Sequence, residues 1–197
     1  LASGIGTLTN PQKLSNTFRS VSHVTITPAT ISRYLDYYSD SFLISKARRY
    51  NVKGKNYIDT PAKYYFADIG LRNARLDFRQ VEPTHIMENI IYNELCSRGF
   101  QVDVGVVEVY DRNASGNSIR KQLEVDFVVN KGYDRYYIQS AYSYSDDSKR
   151  QQETASLKHI PDSFERIIII GNGGKPYRDE NGYRIIRLLD FLLEDSL

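Results

Sequence analysis

Apolar positions along this chain follow two periods. Valines alternate from Gln101 to Tyr110, which predicts a strand. In E-V-D-F-V-V-N, residues 124–130, alternation sends Val125, Phe127 and Val129 one way. Glu124, Asp126, Val128 and Asn130 then point the other way. Asn130-Lys131-Gly132 supplies a turn, and residues 135–141, rich in Tyr and Ile, form the next strand. Residues 102–110, 121–129 and 136–141 should therefore make an antiparallel meander, with Asp126 and Gln139 on neighbouring strands. The unbroken run R-I-I-I-I-G after Glu165 predicts a strand buried on both faces and parallel to its neighbour. Residues 183–188 predict a last strand, and 189–193 a short helix.

Helical spacing marks the other segments. Asn10-Pro11 and Thr27-Pro28 each pair an N-cap with proline at the first helical position. Leu14, Phe18 and Val21 form one stripe, and Ile31, Leu35 and Tyr38 another. Residues 42–50 then predict a strand, N-V-K-G-K a turn at Gly54, and N-Y-I-D a returning strand. Two helices followed by a basic hairpin is the order of a winged helix-turn-helix, with the helix from Pro28 as the recognition helix. Thr84 is the expected N-cap of a helix over 85–96, closed by Gly99. Residues 146–157 predict a further helix.

Several polar residues interrupt these patterns. Glu88 and Asn89 sit within an apolar helical run, and Asp126 within an apolar strand. A buried carboxylate is costly unless it is paired, hydrogen-bonded or bound to a metal. Gln139 could donate to Asp126 and hold it ionised. Asp68 reads as a turn or cap residue near Gly70, or as a partner of Arg72. Glu94 reads as surface, and Glu153 as one half of a structural ion pair. G-N-G-G at Gly171 lacks the lysine and helix of a phosphate loop and reads as a turn. Asn113-Ala114-Ser115 fits a glycosylation sequon.

Charge changes the picture at one end. Residues 1–60 carry eight Lys/Arg against three Asp/Glu, while the whole chain is only +2. The N-terminal part thus suits an acidic partner. If that partner is duplex DNA, Arg33 on the recognition helix and Lys46, Arg48, Arg49, Lys53 and Lys55 on the hairpin are the candidate contacts. His23, His85 and His159 lie too far apart in sequence to suggest a zinc site. The lone Cys96 permits no internal disulfide and fits a cytoplasmic location. No apolar run approaches the ~20 residues of a membrane span. The opening L-A-S-G-I-G, without Met, reads as the interior of a longer chain.

Glu88 on a helix, Asp126 on a strand and Gln139-Ser140-Ala141 on the next strand resemble the core of the PD-(D/E)XK nuclease superfamily. There the last motif is (Glu or Gln)-x-Lys; here Ala141 stands in place of the lysine. The strings K-Y-Y-F-A-D-I-G-L-R-N, R-R-Y-N-V-K-G-K, E-N-I-I-Y-N-E-L-C-S-R-G-F, E-V-D-F-V-V and Y-Y-I-Q-S-A resemble the C-terminal region of a family of bacterial and archaeal AAA-type ATPases. That resemblance implies an α/β chain: a winged-helix-like module over residues 1–60, a connecting strand and turn over 61–74, and a restriction-endonuclease-like αβββαβ domain over 75–197. It also implies a preceding ATPase domain that binds ATP and Mg, as partner and parent, since no G-x-x-x-x-G-K-[ST] occurs here. This chain would then be non-catalytic, without a cofactor of its own, serving recognition or assembly in an oligomer or on DNA. The resemblance leaves two alternatives. One is a metal-dependent nuclease in which Glu88 and Asp126 hold Mg or Mn and Lys121 replaces the missing lysine. The other is a module that binds only proteins.

Overall fold

The computed structural model describes residues 1–79, 82–112, 116–144, 146–194 and 197. The sequon at 113–115 lies outside them. The fold is mixed α/β, built on one eight-stranded sheet. In chain order the elements are α1 (Pro11–Val21), α2 (Pro28–Asp40), β1 (Ile44–Asn51), β2 (Asn56–Phe66), α3 (Ile69–Arg75), α4 (Pro83–Ser97), β3 (Gln101–Arg112), β4 (Ser118–Lys131), β5 (Asp134–Ala141), α5 (Asp147–Lys158), β6 (Glu165–Ile170), β7 (Tyr177–Arg178), β8 (Arg184–Arg187) and α6 (Leu188–Leu193). Among the described residues no helix is long and apolar enough to cross a membrane.

The capping signals act as the sequence predicts for α1 and α2. The Asn10 side chain accepts from Lys13 N and the Thr27 hydroxyl accepts from Thr30 N. Asp68 caps α3 by accepting from Leu71 N, a structural role. Helix α4 departs from expectation. It begins at Pro83 with Glu82 as N-cap, not at Thr84, because proline at the first position already carries a helical φ.

The strand order is β2-β1-β3-β4-β5-β6-β8-β7. β3, β4 and β5 form the expected antiparallel meander, and β6 lies parallel to both β5 and β8. The basic hairpin does not stand apart. β1 pairs in parallel with β3, so the hairpin forms one edge of the common sheet. Residue 60 falls inside β2, in the stretch between Ile58 and Lys63 where the pairing with β1 shifts register.

One expectation fails in β4. Register steps from Asp103↔Val128 to Gly105↔Val125, so Val104 faces two residues, Asp126 and Phe127. This is a β-bulge, which resets the alternation of side chains. Phe127 and Val129 pack with Met87, Ile91 and Leu95 of α4. Val125 and Val128 instead pack on the other face with Leu157 of α5. The bulge therefore turns Asp126 to the α4 side beside Phe127. Gly105 makes room for it: a Cβ there would lie 2.8 Å from Val125 Cβ and 2.9 Å from Val128 Cγ2.

Gly105→Val should overpack this point and lower stability by about 1–3 kcal/mol. A drop in the urea midpoint checks it, and an unchanged midpoint would show that the bulge tolerates a side chain opposite it.

Candidate functional site

The bulge brings Asp126 into a buried polar cluster whose centre is Lys63. The Lys63 side chain is 3% exposed. Its Nζ lies 2.8 Å from Glu88 Oε1, 2.7 Å from Glu124 Oε1 and 3.6 Å from Asp126 Oδ1. The Tyr65 hydroxyl also donates to Glu88 Oε1, at 2.7 Å. Three elements meet here: β2 brings Lys63 and Tyr65, α4 brings Glu88, and β4 brings Glu124 and Asp126. The N-terminal segment closes over Glu88. A Cβ on Gly6 would lie 3.1 Å from Glu88 Oε1, and its φ of +71° is one that glycine accepts readily.

Electrostatics explain why the lysine stays charged. Burial works against the ammonium, but the fields of Asp126, Glu88 and Glu124 outweigh it and raise its pKa. Burial and the neighbouring Glu88 push the Asp126 carboxyl up to about 7, against the pull of Lys63 and of the Ser140 amide. That amide donates to Asp126 Oδ2 at 2.9 Å. Burial, then Glu88, raises the Tyr65 phenol as well, so it remains a donor.

Asn89 is the second polar residue of α4, and it is fully buried. Its side chain accepts from Phe66 N at 2.7 Å and donates to Phe66 O at 2.8 Å. Asn93 donates to Phe66 O and Ala67 O. One face of α4 thus clamps the end of β2 by carboxylate and amide together. The sequence showed Glu88 and Asn89 as anomalies within an apolar run. It offered no signal that Lys63 was their counterpart.

The remaining candidates fall in different places. Gln139 does not donate to Asp126. Its Oε1 accepts from Asp126 N and its Nε2 donates to Glu153 Oε2, both at 3.3 Å. The reason is direction: β5 aims Gln139 towards α5, which carries Glu153. Burial and the charge of Asp126 raise the Glu153 carboxyl. Ala141 is buried in the α5-side core. Lys121 is exposed opposite Val109. It stands five residues along β4 from Asp126, ~17 Å at strand rise, so it does not supply the absent lysine. Glu94 is half-buried and pairs with Arg98 at 2.7 Å.

Of the candidate DNA contacts, Arg33, Lys46, Arg48, Lys53 and Lys55 are exposed. Arg49 is not. It is 9% exposed, and its Nη2 donates to Gln122 Oε1 at 2.8 Å. It points to the opposite face from Arg48 because adjacent strand residues alternate. Lys53 Nζ donates to Glu108 O at 2.8 Å.

A mixed α/β unit with a buried lysine–carboxylate joint is the class that fold and site define. Residues 1–82 match the family model of a domain of unknown function, DUF8612. The chain is 35% identical over 196 residues to an uncharacterised protein of Haemophilus influenzae, covering 98% of this chain and 44% of that protein. It is 29% identical over 151 residues to the uncharacterised protein MJ1544 of Methanocaldococcus jannaschii, covering 77% of this chain and 31% of that one. The chain therefore spans less than half the length of these curated relatives. No solved structure matches it.

Removing the ammonium leaves carboxylates buried without a partner, so Lys63→Met should cost about 3–5 kcal/mol. Chemical denaturation checks this, and a loss under about 1 kcal/mol would mean the pair is screened by solvent. Asp126 predicts a pH dependence. Its folded pKa lies above the ordinary carboxylate value of 3.8, so the folded state holds the proton more tightly. Its contribution is fully present below that value and is lost as pH rises towards about 7. Asp126→Asn should accordingly raise the denaturation midpoint at pH 8, with the gain vanishing near pH 4. A variant less stable than the parent at pH 8 would contradict the assignment.

Proposed function

We propose that this chain is a non-catalytic recognition or assembly region of a longer AAA-type ATPase, with a winged-helix-like start and a nuclease-like core. One observation carries the non-catalytic part: the acidic side chains at the nuclease-like positions already hold an internal cation. Lys63 Nζ lies within 4 Å of Glu88, Glu124 and Asp126. A divalent ion needs several oxygen ligands at about 2.0–2.6 Å, and the ammonium already takes one oxygen of each carboxylate, with Asp126 Oδ2 held by the Ser140 amide. The residues as arranged do not fit Mg or Mn, and no metal-assisted step follows from them. The element order α4-β3-β4-β5-α5-β6 agrees with the αβββαβ core that the resemblance implies.

Recognition would fall to the exposed cations of the N-terminal part. In this reading Arg33, Lys46, Arg48, Lys53 and Lys55, all exposed, would meet the phosphates of duplex DNA, and the buried Arg49 would not. The longer chain's ATPase domain, ATP with Mg in that domain, and an oligomeric assembly belong to the same reading.

A second reading draws on one distance, Lys63 Nζ at 3.6 Å from Asp126 Oδ1: in it Lys63 would swing out of the carboxylate cluster, leave its oxygens to a metal ion and serve as the migrated lysine of a nuclease. The two readings part in one experiment. The chain is incubated with linear, circular and single-stranded DNA in Mg²⁺ or Mn²⁺, and no cleavage is expected. Cleavage abolished by Asp126→Ala would promote the nuclease.

Duplex binding should weaken steeply with salt. Each of Lys46, Arg48, Lys53 and Lys55 changed to Ala should lower the slope of log affinity against log salt by about 0.9. Arg49→Ala should instead reduce stability. Absence of a mobility shift with any duplex at low salt would leave the protein-interaction role in place of the DNA role.

A further inference from the structure

Opposite α4, the other face of the sheet is packed by α5 on β4 and β5. From β2 across β1 to β5 and Phe164, a row of arginine and aromatic side chains crosses that face. The Arg48 guanidinium carbon lies 4.0 Å from the centroid of the Tyr57 ring. Tyr57 meets Tyr50 edge-on, with centroids 5.4 Å apart. Arg135 then lies 5.3 Å from the Tyr50 ring and 5.6 Å from the Phe164 ring. Tyr50 and Arg135 stand on β1 and β5, with β3 and β4 between them. They meet because Gly105, the β3 partner of Tyr50, raises no side chain between them.

The row is anchored from below. The Tyr57 hydroxyl donates to Asp103 Oδ2 at 3.0 Å. Arg135 Nε donates to Asn130 Oδ1 at 2.7 Å. The adjacent Tyr137 hydroxyl donates to Asp162 Oδ2 at 2.6 Å. Those two carboxylates are thus engaged by phenols, and burial raises the Asp103 carboxyl. Among the described residues neither Arg48 nor Arg135 has a carboxylate within ion-pair distance, although both act on Asp103 at longer range. Tyr57 is 44% exposed and Phe164 42%, so both rings remain open to solvent.

We propose that this row is a binding site for single-stranded nucleic acid. Bases stack on exposed aromatic rings without regard to sequence, and guanidinium groups beside the rings take the phosphates. From the Tyr57 ring to the Phe164 ring the row is at most about 16 Å long, enough for two or three nucleotides. Prior anchoring lowers the cost of ordering these side chains on binding. A protein partner is less well matched, because its anchors favour a desolvated apolar centre, and this row is open and cationic. The proposal goes beyond the duplex reading and shares only Arg48 with it.

The test is fluorescence anisotropy of a labelled oligothymidine strand, with a labelled hairpin duplex alongside, at low salt. The strand should bind, and Tyr57→Ala and Phe164→Ala should each weaken it about tenfold. Arg135→Ala should weaken it and flatten its salt dependence. Tyr57→Phe keeps the ring and loses only the hydroxyl bond to Asp103, so it should weaken binding far less than Tyr57→Ala. Lys53→Ala with Lys55→Ala should spare the strand and weaken only the duplex. Circular dichroism confirms that each variant is folded. Failure of the parent to bind the strand overturns the proposal. So does binding indifferent to folded Tyr57→Ala and Phe164→Ala, or lost as fully in Tyr57→Phe. Strand binding without duplex binding upholds the proposal and sinks only the duplex reading.

Discussion

A buried ammonium must be surrounded by negative charge, and this fold is arranged to satisfy that condition at Lys63. Removing each ion of such a group from water costs several kcal/mol, which mutual attraction offsets only when the geometry is good. Here the carboxylates arrive from different elements. Glu88 comes from α4 and Glu124 and Asp126 from β4, while β2 contributes the lysine and Tyr65. The cluster can form only when all three elements are in register. Such a group adds specificity of arrangement more readily than net stability. Around it, Asn89 and Asn93 hold the end of β2 to α4, and Gly6 lets the N-terminal segment lie against Glu88.

That joint has a consequence for how the first residues relate to the rest. The β1–β2 hairpin is continuous with the sheet through β1 and β3, and it also delivers Lys63 to the cluster. A hairpin used in this way cannot move as a free wing without exposing the ammonium. It still presents exposed cations along its outer side. The same sheet then has two unlike faces. On the α4 side lies the closed ionic cluster. On the α5 side lies an open row of arginine and aromatic rings. The bulge in β4 separates the two, since it sends Asp126 and Phe127 to one face and Val125 and Val128 to the other.

Much of the fold was legible from the chain. The alternating valines, the isoleucine run and the proline-started helices α1 and α2 are local patterns, and each produced the expected element. Caps at Asn10, Thr27 and Asp68 are also local, because a side chain reaches a backbone amide three residues on. The anomalies Glu88, Asn89 and Asp126 were visible as polar residues in apolar runs, and all three proved buried. What failed depended on a count of residues between partners. A bulge inserts one residue against the neighbouring strand, and nothing in E-V-D-F-V-V marks it until the register with Gly105 is known.

Sequence by itself determined most of the elements, but not the short helix α3, the strand β7 or the full length of β2, and it determined the polar residues that could not be ordinary core. These follow from periodicity and from the cost of burying unpaired charge, both readable one segment at a time. Tertiary structure alone decided which cation answers those charges. Lys63 lies 25 residues before Glu88 in sequence yet 2.8 Å from it in space. It also decided that Arg49 turns inward to Gln122 while Arg48 turns outward onto Tyr57. Both outcomes rest on which strands become neighbours. Pairing of β1 with β3 is a contact between segments some fifty residues apart, and no local pattern encodes a partner at that distance.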